Sequence, residues 1–218
     1  VSGLPHTVSA LRSLLAVRFP AKARKPGGGV AAGVRSLDEA LGGGLPAGRL
    51  TELVSAVPSS GGQTVVTQLL AATQAARQRM ALIDGTDGFA PDTVDPDLLR
   101  HLVWVRCQGP EQAFAAADIL VRDGNYAVLV LDLRGIADRA LRRTAASVWY
   151  RLQRAAEGGS VAVLVQTTIP LVPAVPWRLV LDTPLSLAGA DQAREFVVDG
   201  LEVRAERSHP AVTEELTG

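Results

Sequence analysis

The chain has 218 residues, 47% of them hydrophobic, with 22 Lys and Arg matched by 22 Asp and Glu and a single cysteine, Cys107. This composition fits one folded domain with a substantial core and excludes a disordered chain. Zero net charge leaves no global field to attract DNA or an anionic membrane, and one cysteine excludes an intrachain disulfide or a thiolate metal cluster.

Residues 7–19 have the spacing of a short amphipathic helix, with Val8, Leu11, Leu14 and Leu15 on one stripe and Arg12 and Arg18 off it. The Pro-, Gly- and Lys-rich segment "PAKARKPGGGVAAG" follows as a tether. The expected organisation is a helix over 1–19, a linker over 20–33, a core over 34–207 and a disordered tail over 208–218. Within the core, strands are predicted at Leu50–Val54, Ala81–Asp84, Val103–Cys107, Ala127–Leu131 and Val161–Gln166. Helices are predicted at Gln63–Arg79, Glu111–Asp123 and Ala137–Glu157. Nearly continuous apolar runs such as "AVLVLDL" and "VAVLVQ" belong to a parallel sheet covered on both faces. Alternation of strands and helices therefore predicts an α/β fold. At the end, "WRLVLDT", "REFVV" and "LEVRAER" read as three strands, the last two joined by a tight turn at Asp199-Gly200 into an antiparallel hairpin. The apolar runs are too short to span a bilayer and no charged segment leads into an apolar stretch at the start, so a cytoplasmic protein without membrane contact is expected.

Between a strand and a helix lies "VPSSGGQTVV", a Gly-rich loop at a helix N-terminus of the kind that cradles phosphates. Several segments in order resemble the RecA family: "GVRSLDEALGGGLPAGRLTEL", "PSSGGQTVVTQLLAATQ", "ALIDGTDGFAPD" and "GPEQAFAAADILVRDGNYAVLVLD". The resemblance implies a RecA-like P-loop NTPase core with a mostly parallel central sheet and a C-terminal antiparallel hairpin, preceded by a short tethered helix.

The resemblance also shows what is missing. Placing Ser59-Ser60-Gly61 on the family's Ser-Ser-Gly puts Ala56 at the first loop glycine, Gly62 at the lysine and Gln63 at the Mg²⁺-binding hydroxyl. Slipping by one recovers a hydroxyl at Thr64 but puts Gln63 at the lysine. Neither register has a lysine to neutralise the β- and γ-phosphates, a contact that contributes about 1.5–3 kcal/mol. Thr86 stands where RecA enzymes carry the glutamate that orients water, and a threonine hydroxyl is no general base near neutral pH. Asp132 matches the Walker B carboxylate, and Gln166 matches the glutamine linking nucleotide to DNA. Of the two DNA-binding loops, the first shrinks to "LRGI". The second is "TTIPLVPAVP", apolar and without a basic residue to neutralise phosphate.

Other features carry less. On a continuous helix over 137–157, Leu141, Ala145, Val148 and Leu152 form the buried stripe, with Trp149 at its edge. Arg139, Arg143, Tyr150 and Arg154 then share the opposite face as a candidate partner or phosphate surface. Five aspartates between Asp84 and Asp97 read as an acidic surface loop; their Gly/Pro pattern does not fit an EF-hand. His6, His101 and His209 lack metal-ligand spacing, so no metal or cofactor is expected.

Within the superfamily the pattern most resembles the ImuA group, RecA-like proteins of bacterial mutagenesis cassettes. This implies a non-catalytic accessory factor of the DNA-damage response. Its implied partners are RecA and a Y-family-like translesion polymerase, reached in part through Val8, Leu11, Leu14 and Leu15. Self-association and weak or absent DNA binding are also expected. The alternatives are a RecA-fold ATPase using Thr64, Asp132 and Gln166, and a SulA-like cell-division inhibitor.

Overall fold

The computed structural model describes residues 28–185 and 194–207. The predicted N-terminal helix, most of the linker and the tail lie outside them. The strands are β1 (Gly29–Val30), β2 (Leu45–Pro46), β3 (Leu50–Ser55), β4 (Met80–Asp84), β5 (Leu102–Arg106), β6 (Val128–Asp132), β7 (Ala162–Thr167), β8 (Trp177–Leu181) and β9 (Arg204–Arg207). The helices are α1 (Arg35–Ala40), α2 (Gly62–Ala75), α3 (Pro96–Leu99), α4 (Pro110–Asp123), α5 (Asp138–Leu141), α6 (Ala146–Ala156) and α7 (Arg194–Asp199). β1 and β2 pair antiparallel, with Val30 and Ala32 buried, so core contacts begin before residue 34.

The main sheet runs β5-β4-β6-β7-β3-β8-β9, parallel throughout except for the antiparallel β8–β9 pair. This is the predicted mostly parallel α/β architecture. Strand residues alternate between two apolar layers, as the period of two demands. Met80 and Leu82 pack with Val65, Val66, Leu69 and Leu70 of α2 on one face. Ala81 and Ile83 pack with Phe114 of α4 and Trp149 and Leu152 of α6 on the other. Each fully buried side chain of this size contributes about 1.5–3 kcal/mol, so coverage of both faces explains why β4 and β6 are apolar up to their final aspartates.

α4 is delimited by its own sequence: Gly109-Pro110 opens it, Glu111 and Arg122 suit the helix dipole at its two ends, and Gly124 at φ 72° closes it. α2 ends at Ala75, four residues before the predicted stop, where Arg77 takes φ 54° and turns the chain away.

Two expectations are corrected. The segment 194–199 is the helix α7 rather than a strand, and Gly200 N–H donates to Phe196 O, so no turn at Asp199-Gly200 makes a hairpin. Helical winding puts Val198 and the following Leu201 into the α2-side layer and leaves Phe196 outside, which alternation along a strand would not do. The antiparallel C-terminal pair is made by β8 and β9 instead. The predicted helix over 137–157 is broken: α5 stops at Leu141, and Ala145 is extended (φ −62°, ψ 138°) before α6 begins. Trp149 takes the inward position beside Phe114, with ring centroids 4.9 Å apart, and Ala145 is exposed. A bulky ring meets the sheet layer better than an alanine can, so the chain restarts its helix to seat it.

Candidate functional site

The polar positions singled out in the sequence converge at the carboxyl ends of β3, β4, β6 and β7. Asp84 is in register with Asp132, and Asp132 with Gln166. The 56–61 loop leaves β3 beside them and leads into α2, which crosses over β7 and β6 to reach β4. Parallel α/β sheets form ligand crevices at such a crossing. Ala56, Gly61, Gly62, Gln63, Thr64, Asp132 and Gln166 therefore belong to one region. Thr86 joins its edge through contact with Gly135.

The loop is braced from outside by the C-terminal segment. Ala56 N–H donates to Leu181 O and Leu185 N–H to Ser59 O, at 3.0 and 2.9 Å. A Cβ built on Gly61 (φ 96°) would overlap Leu201 Cδ2, and Leu201 O in turn accepts a 2.6 Å hydrogen bond from Ser36 Oγ of α1.

Inside the loop lies a residue that the sequence reading passed over. Arg134, two positions after Asp132, turns its guanidinium back onto that carboxylate: Nε donates to Oδ1 at 2.9 Å and Nη2 to Oδ2 at 2.5 Å. Nη2 also reaches Gln63 Oε1 at 3.3 Å. The same head group packs against Gly62, where an added Cβ would strike Arg134 Nη1 and lie 2.6 Å from Ser55 Oγ. Gln166 Nε2 donates to Gly62 O at 3.0 Å. Ser55 Oγ, Ser60 Oγ, Gln63 Nε2 and Gln166 Oε1 are buried around this loop with no hydrogen-bond partner among the described residues. The arrangement is a cluster of polar groups around one ion-paired guanidinium. The sequence signal was present in "DLR", a carboxylate and a guanidinium two residues apart at a strand end.

Asp84 serves its own loop. Buried at the end of β4, it accepts from the backbone N–H groups of Thr86, Gly88 and Phe89 at 3.2, 3.0 and 2.8 Å and from Trp104 Nε1 at 3.3 Å. Asp87 forms a bidentate pair with Arg106 that holds the Asp87 carboxyl below its ordinary range. The acidic segment is thus a surface loop built round one buried aspartate.

The stretch 168–176, which the sequence resemblance sets against the second DNA loop, is tied down by Glu52. This fully buried carboxylate on β3 accepts from Leu171 and Val172 N–H at 2.7 and 3.0 Å and pairs with Arg178 Nε at 2.6 Å. Arg178 Nη2 donates onward to Val172 O at 3.1 Å. Val172 and Val175 are buried in the α4/α6-side layer. A glutamate inside the apolar run "LTELV" was the signal for this anchor, since an unpaired carboxylate is almost never buried.

Arg139, Arg143, Tyr150 and Arg154 are all exposed, but the break before α6 separates the first two from the second two. Cys107 is buried, and its thiol pKa is raised first by burial and then by the charge of Asp84. Thiolate therefore forms only above the usual pH. Alkylation of the folded chain near neutral pH is expected to run at least about tenfold slower than in denaturant. Equal rates in both states would place Cys107 in solvent.

The RecA N-terminal domain family model matches residues 17–140. Protein RecA of Nocardia farcinica is 40% identical over 122 residues, covering 53% of this chain and 34% of that protein. Protein RecA of Rhodococcus opacus is 42% identical over 115 residues, covering 50% and 32%. Protein RecA of Mycobacterium tuberculosis is 39% identical over 122 residues, covering 53% and 15%. The matched stretch thus spans 34% or less of these relatives' lengths. Among the described residues no helix is long and apolar enough to cross a membrane. The family match covers more than half the chain and takes in both Asp132, at the end of β6, and Arg134 just after it, and on the ground of that coverage the chain belongs to the RecA N-terminal domain family.

Proposed function

We propose that this chain is a non-catalytic, ImuA-like accessory protein of the DNA-damage response. It supports translesion synthesis by binding and limiting RecA and by contacting a Y-family-like polymerase partner. The observation that carries this reading is Arg134, whose guanidinium lies against Gly62 and is neutralised by Asp132. Among the described residues, the cation at the loop already has its anion, and the carboxylate that would manage Mg²⁺ is engaged with it. A nucleotide would have to break charge-assisted hydrogen bonds that contribute about 1.5–3 kcal/mol each. Pinning of 168–176 by Glu52 supports weak DNA binding in the same way, since that stretch carries no basic residue.

Steady-state ATP hydrolysis, with or without single-stranded DNA, is expected to remain at background. RecA is expected to co-purify with the full chain. Deletion of residues 1–20, or Leu11→Asp with Leu15→Asp, is expected to abolish that capture while leaving the core's circular dichroism intact. Retention of RecA after both changes would refute docking through the N-terminal helix. The second reading, an atypical ATPase, draws on the same arginine: released from Asp132, it could neutralise phosphate beside Ser60 and Gln166. Turnover abolished by Asp132→Ala or Arg134→Ala would establish that reading and refute the first.

A further inference from the structure

The main sheet has two edges, and they are built differently. β9 is guarded by charge: it carries Arg204, Glu206 and Arg207, and Arg204 pairs with both Asp182 and Glu206. β5, at the other end, reads "LVWVR", has no proline and no positive φ, and is as long as its neighbour β4. Its residues are only half-buried up to the exposed Arg106, whereas β4 is buried throughout. The bonds to β4 decide which backbone groups are free. Met80 N–H donates to His101 O and Cys107 N–H to Asp84 O, so the odd-numbered residues of this stretch bond to β4 and the even-numbered ones point away. The N–H and C=O groups of Leu102, Trp104 and Arg106 therefore line the outer edge, with no backbone partner among the described residues. Trp104 meets Phe89 edge to face, and the Arg106 guanidinium lies 5.1 Å from the Trp104 ring centroid. Val103 and Val105 face the other side of the sheet.

A row of free N–H and C=O groups is matched by another extended strand. We infer that β5 pairs antiparallel with β5 of a second copy of this chain, about a two-fold axis at Trp104, joining two sheets into one. A two-fold contact sets one surface against itself, and this strand is complementary to itself in that register. Trp104 then faces the partner's Trp104, Leu102 faces the partner's Arg106, and Val103 faces the partner's Val105. Even residues always face even ones, so every outward N–H meets an outward C=O. The cross-strand pairs are aromatic on aromatic, β-branched on β-branched, and the arginine stem on leucine. Each Arg106 keeps its own Asp87, and the two guanidiniums stand about 13 Å apart along the strands. An axis at Arg106 would instead set them face to face, and one at Leu102 would set Arg106 against the helix α3. The contact uses none of residues 1–20 and does not depend on the accessory reading.

The test is sedimentation equilibrium on the full chain over roughly a hundredfold range of concentration, where a monomer–dimer equilibrium is expected. Val103→Lys with Val105→Lys sets lysine opposite lysine across the axis and is expected to raise the dimer dissociation constant at least about tenfold. Val103→Glu with Val105→Lys sets opposite charges against each other and is expected to dimerise at least about tenfold more tightly than the double-lysine variant. Both variants place two charges at the same half-buried positions, so a folding defect would affect them alike. A monomer at every concentration overturns the inference, as does a dimer that the double-lysine change leaves intact. Failure of the glutamate–lysine variant to exceed the double-lysine one overturns the antiparallel pairing about Trp104. RecA capture is expected to persist in the double-lysine variant. Its loss from a chain that is monomeric without any substitution would assign the edge to a foreign strand and overturn the second copy as its occupant.

Discussion

Glu52→Ala is expected to lower the unfolding free energy by about 3–5 kcal/mol, the cost of breaking a buried ion pair by removing one partner. Glu52 is wholly buried on β3, between β7 and β8, and its carboxylate accepts from Leu171 N–H, Val172 N–H and Arg178 Nε. Alanine leaves the guanidinium, 19% exposed, without its counter-charge and two backbone donors without acceptors. A domain of this size is stable by about 5–15 kcal/mol, so the loss is a large share of the total. Urea unfolding should show a lower midpoint at unchanged slope. Hydrogen exchange at Leu171 and Val172 should rise with it, because these amides report the anchored stretch directly. Glu52→Gln keeps an acceptor for the two N–H groups and is expected to cost less than alanine. A loss below about 1 kcal/mol for Glu52→Ala would give the pair the value of an exposed one and refute the anchor. The structural consequence is specific: the stretch 168–176 is a fixed part of the core.

Gly61→Ala is expected to cost about 2–5 kcal/mol, from two sources that add. The backbone at φ 96° lies where L-residues are strained by roughly 1–2 kcal/mol, and the new methyl enters the space of Leu201 Cδ2, an overpacking cost of about 1–3 kcal/mol. Leu201 cannot swing out freely, since it is 3% exposed and its carbonyl is held by Ser36 Oγ. In a double-mutant cycle Leu201→Ala should relieve part of the loss, with a coupling of about 0.5–3 kcal/mol. Strict additivity would mean that strain alone is felt and that the C-terminal segment does not brace the loop. Gly62→Ala offers the complementary probe. Its methyl meets Arg134 and Ser55 instead, so its cost should fall when Arg134 is shortened to alanine.

Local signals suffice for much of this protein. Apolar runs of five or six residues separated by helical spacing place five strands of the parallel sheet within about a residue, because a strand covered on both faces tolerates almost nothing else. Gly109-Pro110 and Gly124 set the limits of α4 by backbone chemistry alone. That residues 57–66 hold no lysine and residues 167–176 no basic side chain is read directly from the chain. Other outcomes depend on neighbours distant in sequence. "REFVV" has strand composition, yet Val198 and Leu201 gain more by packing on the α2 side as a helix and the turn that follows it. The 137–157 segment has helical spacing throughout, yet it breaks so that Trp149 reaches Phe114. Glu52 and Arg178 stand 126 residues apart, and only the adjacency of β3 and β8 makes them one ion pair. Arg134 is close to Asp132 in the chain, but its contact with Gly62 exists because β3 and β6 flank β7 and bring the loop of one to the end of the other. Periodicity and turn chemistry act over a few residues and can be read there; a buried charge or a filled cradle depends on which strands lie side by side.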